Sequence, residues 1–347
     1  MAAPGKDDHV TKVTGRLWRD GEPHDDEFAF DAISDCLASE RQLVWADIYD
    51  PDHDTLRLLA AELGLNTWAV EDAVAPKERT KTAVYQSHTF FTVYALGTHE
   101  PAGDSASMLV KHRISAFVLP RALITVRLPG LNSGAAEFDI GEVSRRFDEL
   151  GGQSHGVGAL VHGLLDVVVD GHFDAVQVLD DAIEALEDEL FSGSGDRAEP
   201  HGLQRRTFRV RKDLVDLRRV VLPVREVVST IQHRRLDART SPELDPLYAD
   251  LYDHVLRASE WTESLRDMVT TVFETNLSLQ DARLNTVMKK LTGWAAIIAV
   301  PTAITGFYGQ NVLYPGVDTV AGFLTSSAVI VVLVVVLYAM FKRRDWL

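Results

Sequence analysis

Two long uncharged runs near the end of the chain constrain its fold more than any other feature. The first spans residues 291–308, about 18 residues, which is close to the minimum for crossing a membrane. The second spans residues 319–341, about 23 residues, which is enough to cross with some tilt. A pair of buried core helices is the alternative, but water-soluble domains rarely carry a run as apolar as AVIVVLVVVLYAMF. The sequence therefore predicts two transmembrane helices.

Basic residues flank the predicted spans on one side only, and they are Lys289, Lys290, Lys342, Arg343 and Arg344. The first two precede the first span and the other three follow the second, whereas the connecting loop, residues 309–318, contains no Lys or Arg. The positive-inside rule then places both termini in the cytoplasm and the loop outside. We expect a multi-pass protein of a bacterial-type plasma (inner) membrane, with membrane lipids as partners.

The composition excludes several classes of function. A formal net charge of −16 argues against a nucleic-acid partner, which would favour a basic surface. Cys36 is the single cysteine, so the chain forms no internal disulfide, as is typical of a reducing compartment. His155, His162 and His172 lack the spacing of metal ligands, which predicts ordinary packing histidines. With no supported catalytic constellation, we expect neither an enzyme nor an organic cofactor.

Strand and helix signals occur together up to about residue 145 and predict a cytosolic α/β domain over residues 1–145. Stretches rich in branched and aromatic residues predict strands at residues 40–50, 88–96, 113–120 and 121–129. A Pro-Asp start and an apolar spacing of three and four predict a helix over residues 51–65. Beyond the domain only helical patterns remain, and residues 146–245 are predicted to form an antiparallel helical hairpin, kinked at Pro223.

A very long helix is predicted between the hairpin and the first span. No glycine or further proline interrupts the segment from Pro246 to Thr292, which at 1.5 Å per residue extends for about 70 Å. Helices of globular domains are usually far shorter. Residues 246–290 are therefore predicted to form a stalk that packs along other helices, including those of other copies of the chain.

One face of the stalk's end and of the first span carries residues spaced by three or four. They are Asn285, Met288, Leu291, Ala295, Ala299, Thr302, Gly306 and Gly309. Small residues on this face allow ordinary close packing of helices. The alternative is a pore-lining stripe, in which Met288 and Leu291 form an apolar constriction that gates by dewetting. The spacing leaves both interpretations open.

The turn after the first span carries a recognisable motif, Tyr308-Gly309-Gln310-Asn311. Together with the second span and the terminal FKRRDWL, it resembles the CorA family of divalent-cation channels, in which this turn usually reads Tyr-Gly-Met-Asn. Upstream segments are also similar to the family, namely residues 68–81, 211–228 and 252–267. The resemblance implies a funnel-shaped homopentamer, in which an α/β cytosolic domain precedes a long stalk helix and two C-terminal transmembrane helices. It further implies that residues 291–308 line the pore and that residues 309–318 form the outer loop. Residues 319–341 would form the second transmembrane helix, and residues 342–347 a basic cytosolic tail.

The resemblance also implies a function, which is the passage of hydrated divalent cations, Mg²⁺ first, with Co²⁺ and Ni²⁺ as further candidates. Residues Tyr308, Gly309, Gln310 and Asn311 would form the selectivity ring. Mg²⁺ sheds its waters reluctantly, and the Asn311 amide and the Gly309 carbonyl can accept hydrogen bonds from those waters. An Asx turn that caps the helix end is the structural alternative for Asn311.

Two departures from the family pattern bear on function. Gln310 stands where methionine is usual, and the related ZntB branch, which is associated with zinc, also varies there. Asp250, with Asp253 as a second candidate, matches the stalk side of the family's regulatory Mg²⁺ site, but the partner strand reads Ser87-His88 and offers no carboxylate. Asp250 has an alternative as a solvated helix charge. A Zn²⁺ transporter, and a membrane-tethered sensor or scaffold without transport, remain alternative functions.

Overall fold

The computed structural model describes residues 12–25, 32–39, 42–99, 103, 106–129, 138–191, 200–234, 242–310, 316 and 319–346. The chain divides into two compact units, Met1–Thr270 and Thr271–Leu347. The first contains a β-sheet and its covering helices, and the second contains the apolar helical segments.

A mixed β-sheet forms the centre of the first unit, and the described residues give it seven strands in the order β2-β1-β3-β7-β6-β5-β4. These are β1 (Lys12–Arg19), β2 (Glu22–Asp25), β3 (Gln42–Tyr49), β4 (Lys81–Val84), β5 (Thr89–Thr98), β6 (Leu109–Leu119) and β7 (Ala122–Arg127). β3 and β7 pair in parallel, and the other neighbours in this order pair antiparallel. The four predicted strands are confirmed as β3, β5, β6 and β7, whereas β1, β2 and β4 were not predicted.

Helices cover both faces of the sheet. One apolar layer joins it to α1 (Ala32–Ala38), α2 (His53–Leu63) and α3 (Thr67–Val74), and the other joins it to α4 (Ile140–Glu149) and α5 (Val157–Phe191). Successive strand residues serve opposite layers, as the period of two requires: Phe90 lies in the first layer and Phe91 in the second. The mixed α/β architecture predicted for this part of the chain is confirmed.

Two capping contacts define α2, the helix that was predicted for residues 51–65. The Asp52 carboxylate accepts a hydrogen bond from the Thr55 N–H at 2.7 Å, which satisfies a backbone donor at the helix start. Gly64 ends the helix in the left-handed region, with φ 65°, where glycine lacks the steric penalty of a Cβ.

The helices α5 and α6 (Pro200–Val221) form the predicted antiparallel hairpin. Glu189 and Arg206 form an ion pair where α5 ends and α6 begins. Farther back on α5, His172 bonds to Tyr94 on β5 at 2.8 Å, and farther along α6, Asp216 pairs with Lys111 on β6 at 3.0 Å. Because β5 and β6 are paired strands, both helices return to the same part of the sheet, which requires opposite directions.

The kink predicted at Pro223 is instead a break between two helices. α6 ends at Val221 and α7 (Val224–His233) begins with Pro223 at its N-cap position. Proline has no N–H to continue the preceding helix, and its fixed φ suits the start of the next one.

The second unit contains the two apolar segments of the chain. α8 (Asp245–Tyr308) starts in the first unit and runs for 64 residues without a break, so the stalk and the first span share one helix. α9 (Val320–Arg343) follows. Both are long and apolar enough to cross a membrane, and only 11% and 6% of their most apolar windows are buried within the chain. Such low burial is not that of core helices in a soluble domain.

Candidate ion-conduction site

The predicted stripe lies along α8, and all of its positions are exposed within the chain. The stripe runs from Asn285 through Met288 and Leu291 to Gly306 and Gly309. Side chains spaced by three and four on an α-helix share one face, so the stripe is a continuous surface.

The opposite face of α8 is the one covered within the second unit. Its covered positions recur with the same spacing: Gly293, Ile297, Pro301, Ile304 and Tyr308. α9 has a matching covered face, at Gly322, Ser326, Ile330, Val334, Leu337 and Phe341. The stripe therefore lies on the side of α8 opposite to its covered face.

The motif turn starts as a continuation of α8. The Gly309 N–H donates to the Thr305 carbonyl at 2.8 Å, and the Gln310 N–H donates to the Phe307 carbonyl at 3.4 Å. Gly309 and Gln310 are exposed, and a Cβ added to Gly309 would lie 3.0 Å from the Thr305 oxygen. Asn311 lies outside the described residues, so its predicted role stays a prediction.

The five basic residues lie beside the apolar segments. Lys289 and Lys290 lie on α8, before its apolar segment. Lys342 and Arg343 form the last turn of α9, and Arg344 is its C-cap. All five side chains are exposed, as expected for charges that flank membrane spans.

The predicted regulatory carboxylates lie on α8 within the first unit. The Asp250 side chain is 71% exposed, with its Oδ2 3.8 Å from His254 Nε2, and Asp253 forms an ion pair with Arg257 at 2.6 Å. Among the described residues, no group of three or more His, Cys, Asp or Glu side chains is arranged to hold a metal. The described part of one chain thus offers Asp250 without further ligands, and any site there would need ligands from another copy.

The residues expected opposite Asp250, Ser87 and His88, lie in the turn between β4 and β5 rather than on a strand, and they offer little to a metal. Ser87 is exposed, and its hydroxyl donates to the Gly64 carbonyl at 3.0 Å. The His88 ring is buried, its Nδ1 lies 2.9 Å from Ser87 Oγ, and burial together with Arg234 lowers its pKa. The His88 ring therefore serves packing. Neither Ser87 nor His88 supplies a carboxylate, as the sequence already indicated.

Two of the three histidines noted in the sequence fasten α5 to its neighbours. His162 Nε2 donates to the Leu247 carbonyl at 3.2 Å, and His172 Nε2 donates to the Tyr94 carbonyl at 2.8 Å. Burial lowers the pKa of both rings, that of His172 to about 4. Both are packing histidines, as the sequence predicted.

Solved structures with the same fold define the class of protein. The complete structure of the CorA magnesium transporter from Methanocaldococcus jannaschii matches with a TM-score of 0.72 and 22% identity, over 97% of this chain and 99% of that structure. The full-length CmaX protein matches with a TM-score of 0.67 and 17% identity, over 98% and 99%. The ZntB cytoplasmic domain from Vibrio parahaemolyticus matches with 0.51 and 10%, over 69% and 88%. The fold is therefore that of two-span proteins with a large α/β domain.

Sequence comparison gives the family. The model of the CorA-like Mg²⁺ transporter proteins matches residues 40–343, and the chain belongs to this family. It is 27% identical to the cobalt/magnesium transport protein CorA of Thermotoga maritima, over 85% of this chain and 80% of that protein. It is 24% identical to the protein of the same name from Methanocaldococcus jannaschii, over 94% and 96%. It is 26% identical to the putative metal ion transporter YfjQ of Bacillus subtilis, over 87% and 89%.

Family membership confirms two predictions made from the sequence. The resemblance to CorA is correct over most of the chain, and the members of this family are ion transporters rather than enzymes. The individual site residues are not tested by these comparisons.

Proposed function

We propose that this protein passes hydrated divalent cations through a pore lined by α8, with Mg²⁺ as the principal ion and Co²⁺ and Ni²⁺ as further ions. The working form is a homopentamer in the plasma membrane with both termini in the cytoplasm. The names of its relatives, which are cobalt/magnesium transport proteins, support this choice of ions.

The observation that carries the proposal is the free face of α8. The stripe from Asn285 to Gly309 is exposed, while the opposite face of the same helix is partly covered within the chain. In a ring of copies, that arrangement leaves the stripe available to line a central path. Met288 and Leu291 would then narrow the path with apolar side chains, which hold it closed by excluding water.

The motif turn suits an ion that keeps its hydration shell. Mg²⁺ demands octahedral oxygen coordination and loses water reluctantly. Neutral acceptors, namely the Gly309 carbonyl and the Asn311 amide oxygen, would bind the waters of the ion without holding the metal itself. Gln310 places a polar side chain where the family usually has methionine. We expect this difference to affect which ion the channel prefers.

Regulation by cytosolic Mg²⁺ is the second part of the proposal, with Asp250 as a ligand and Asp253 as a second candidate. Asp250 is exposed and available to a neighbouring copy, whereas Asp253 is engaged by Arg257. Because Ser87 and His88 supply no carboxylate, we expect Mg²⁺ to close this channel only weakly through this site.

Ion uptake by purified protein in liposomes tests the proposal, comparing Mg²⁺ with Zn²⁺. We expect Asn311→Ala to reduce Mg²⁺ influx more than about tenfold, because a ring of acceptors worth roughly 0.5–1.5 kcal/mol each is lost at once. The matched control is Gln310→Met, which restores the usual residue and should retain the influx. Zn²⁺ uptake without Mg²⁺ uptake would instead indicate a zinc transporter, and uptake of neither ion would indicate a tether.

A further inference from the structure

One side of α9 carries an exposed apolar row that ends in an arginine. The apolar row consists of Val329, Val332, Val336 and Met340, and Arg343 continues it in the last turn of the helix. Neighbours in this series are three or four residues apart, so the five side chains lie on one face, and all of them are exposed. α9 therefore presents an apolar surface and a cation in line.

The apolar row lies away from the covered face of α9. Val334 and Phe341 belong to the covered face, and they come two residues before Val336 and Arg343, respectively. Two residues turn an α-helix by about 200°, which is more than half a turn. The part of the chain that the structure describes therefore leaves the apolar row uncovered.

The distance along this face matches the thickness of one leaflet of a bilayer. From Val332 to Arg343 the helix rises about 16 Å at 1.5 Å per residue. Half of a hydrocarbon core of about 30 Å is nearly the same length. A phospholipid whose acyl chain lies along the apolar row would thus bring its phosphate to Arg343. The planar guanidinium group of arginine binds phosphate oxygens in pairs.

The end of the chain folds back on α9 and gives Arg344 a defined place beside Arg343. The Trp346 N–H donates to the Phe341 carbonyl at 3.0 Å, and the two rings stack with their centroids 5.6 Å apart. Asp345 adopts the left-handed backbone conformation, with φ 55°, which is uncommon for a residue other than glycine. These contacts form a Schellman motif, in which a hydrophobic contact accompanies the reversal of the chain.

Aromatic side chains accompany the basic end of α9. Lys342 Nζ lies 5.9 Å from the centroid of the exposed Tyr338 ring, and Trp346 is half-buried against Phe341. Tyrosine and tryptophan are enriched at the level of the lipid headgroups, where one end of the ring is apolar and the other is in contact with water. The composition of this end is therefore that of a membrane interface.

We propose that the end of α9 binds an anionic phospholipid of the cytoplasmic leaflet, whose phosphate contacts Arg343 and Arg344 and whose acyl chain covers the apolar row. The inference rests on the proposed placement of both termini in the cytoplasm, where the adjoining leaflet is the anionic one. It does not depend on which ion the protein passes. A carboxylate of a second copy would also attract the two arginines, but it would leave the apolar row uncovered, so the lipid fits the observations better.

Quenching of tryptophan fluorescence by brominated lipid measures this binding on the full-length protein in liposomes. A Trp294→Phe background leaves Trp346 as the one tryptophan of the second unit, since the other four belong to the first. The liposomes mix phosphatidylcholine brominated in its acyl chains with unbrominated phosphatidylglycerol, which protects Trp346 when it occupies the site. We expect the site to prefer phosphatidylglycerol about thirtyfold, because two arginines attract the anionic headgroup.

Paired substitutions distinguish a site from a general attraction of positive charge. Arg343→Gln with Arg344→Gln should abolish the preference, whereas Arg343→Lys with Arg344→Lys keeps the charges and should retain most of it. The matched control, Lys289→Gln with Lys290→Gln, removes the same charge beside the first span and should leave the preference unchanged. No preference in the parent protein, or an equal loss in the control or in the lysine variant, would overturn the site.

Inorganic phosphate and ion uptake separate the remaining outcomes. Sodium phosphate has no acyl chain to cover the apolar row, so adding it should not displace phosphatidylglycerol and raise the quenching. Displacement by phosphate would show a site for free anions and overturn the lipid. The fluorescence measurement involves no ion flux, so the preference in a protein that takes up no Mg²⁺ would overturn the channel but not the lipid site. Mg²⁺ uptake without the preference would overturn the lipid site but not the channel.

Discussion

His172 makes the stability of the first unit depend on pH. The ring is fully buried on α5, its Nε2 donates to the Tyr94 carbonyl, and burial lowers its pKa to about 4. In the unfolded chain a histidine titrates near its ordinary pKa of about 6.5. Above that pH both states hold a neutral ring. Between pH 6.5 and 4 the unfolded state binds a proton that the folded state refuses, so stability falls as the pH falls, by about 3 kcal/mol in total.

The variant His172→Gln isolates this effect, because an amide N–H₂ can still donate to the Tyr94 carbonyl but does not titrate. We expect the midpoint of thermal unfolding, followed by tryptophan fluorescence, to drop less between pH 7 and pH 4.5 in the variant than in the wild type. His233→Gln is the control, since that side chain is exposed. An equal drop in wild type and His172→Gln would show that the burial of His172 has no such consequence.

Sequence patterns could not reveal the buried ion pair at the ends of the parallel strands. Asp47 is 1% exposed, accepts from Arg127 Nη2 at 2.7 Å, and also accepts from the Thr125 hydroxyl at 2.7 Å. These residues are about 80 positions apart, and the parallel pairing of β3 and β7 brings them together. Single-sequence patterns describe which residue types are buried, and a charged partner so distant leaves no local signal.

The crossing of α5 over β5 depends on a glycine. A Cβ on Gly171 would lie 2.8 Å from the Leu96 carbonyl oxygen, which is closer than carbon and backbone oxygen approach. Gly171→Ala should therefore push α5 from the sheet and destabilise the first unit by about 1–3 kcal/mol, although alanine is the better helix former. Denaturant unfolding measures the loss.

Gly97→Ala is the matched control, on the neighbouring strand position, where the nearest side-chain atom is 3.7 Å from the added Cβ. Gly97→Ala should lower the free energy of unfolding clearly less than Gly171→Ala does. If Gly171→Ala and Gly97→Ala had the same free energy of unfolding, the close contact between helix and sheet at Gly171 would not explain the loss of stability.

The elements that the sequence predicted correctly are those whose pattern is long or strongly apolar. β5 and β6 have 10 and 11 residues with mostly buried side chains, and α8 repeats its pattern over 64 residues. The missed strands lack such a signal. β4 has only four residues, and Gly15 interrupts β1 where an added Cβ would lie 2.0 Å from the Trp45 oxygen. The glycine at position 15 is needed because the backbones of β1 and β3 approach closely, and this contact exists only in the folded structure. Residue propensity, by contrast, predicts that a glycine disfavours a strand.

For the candidate site, the sequence predicted the stripe and the structure adds which side of α8 it occupies. Spacing alone could not distinguish close packing from a pore, because both need small residues on one face. The covered positions on the opposite face distinguish the stripe from the surface that packs within the chain. The proposed assembly of five copies could not be predicted from the spacing of one sequence, and it rests on the resemblance to the family.

The path of the ions through the assembled protein is best tested at Thr302. Thr302→Cys, made in a Cys36→Ser protein, places a thiol on the stripe with little change in volume. The control is Phe307→Cys, whose position is exposed but lies on neither the stripe nor the covered face. Mg²⁺ influx into liposomes is measured before and after a positively charged thiol reagent is added. The positively charged group that the reagent attaches to the introduced thiol should block the pore and stop the influx through Thr302→Cys. The influx through Phe307→Cys should continue. Influx that continues through fully modified Thr302→Cys, or that stops only in Phe307→Cys, would show that the ions do not follow this face of α8.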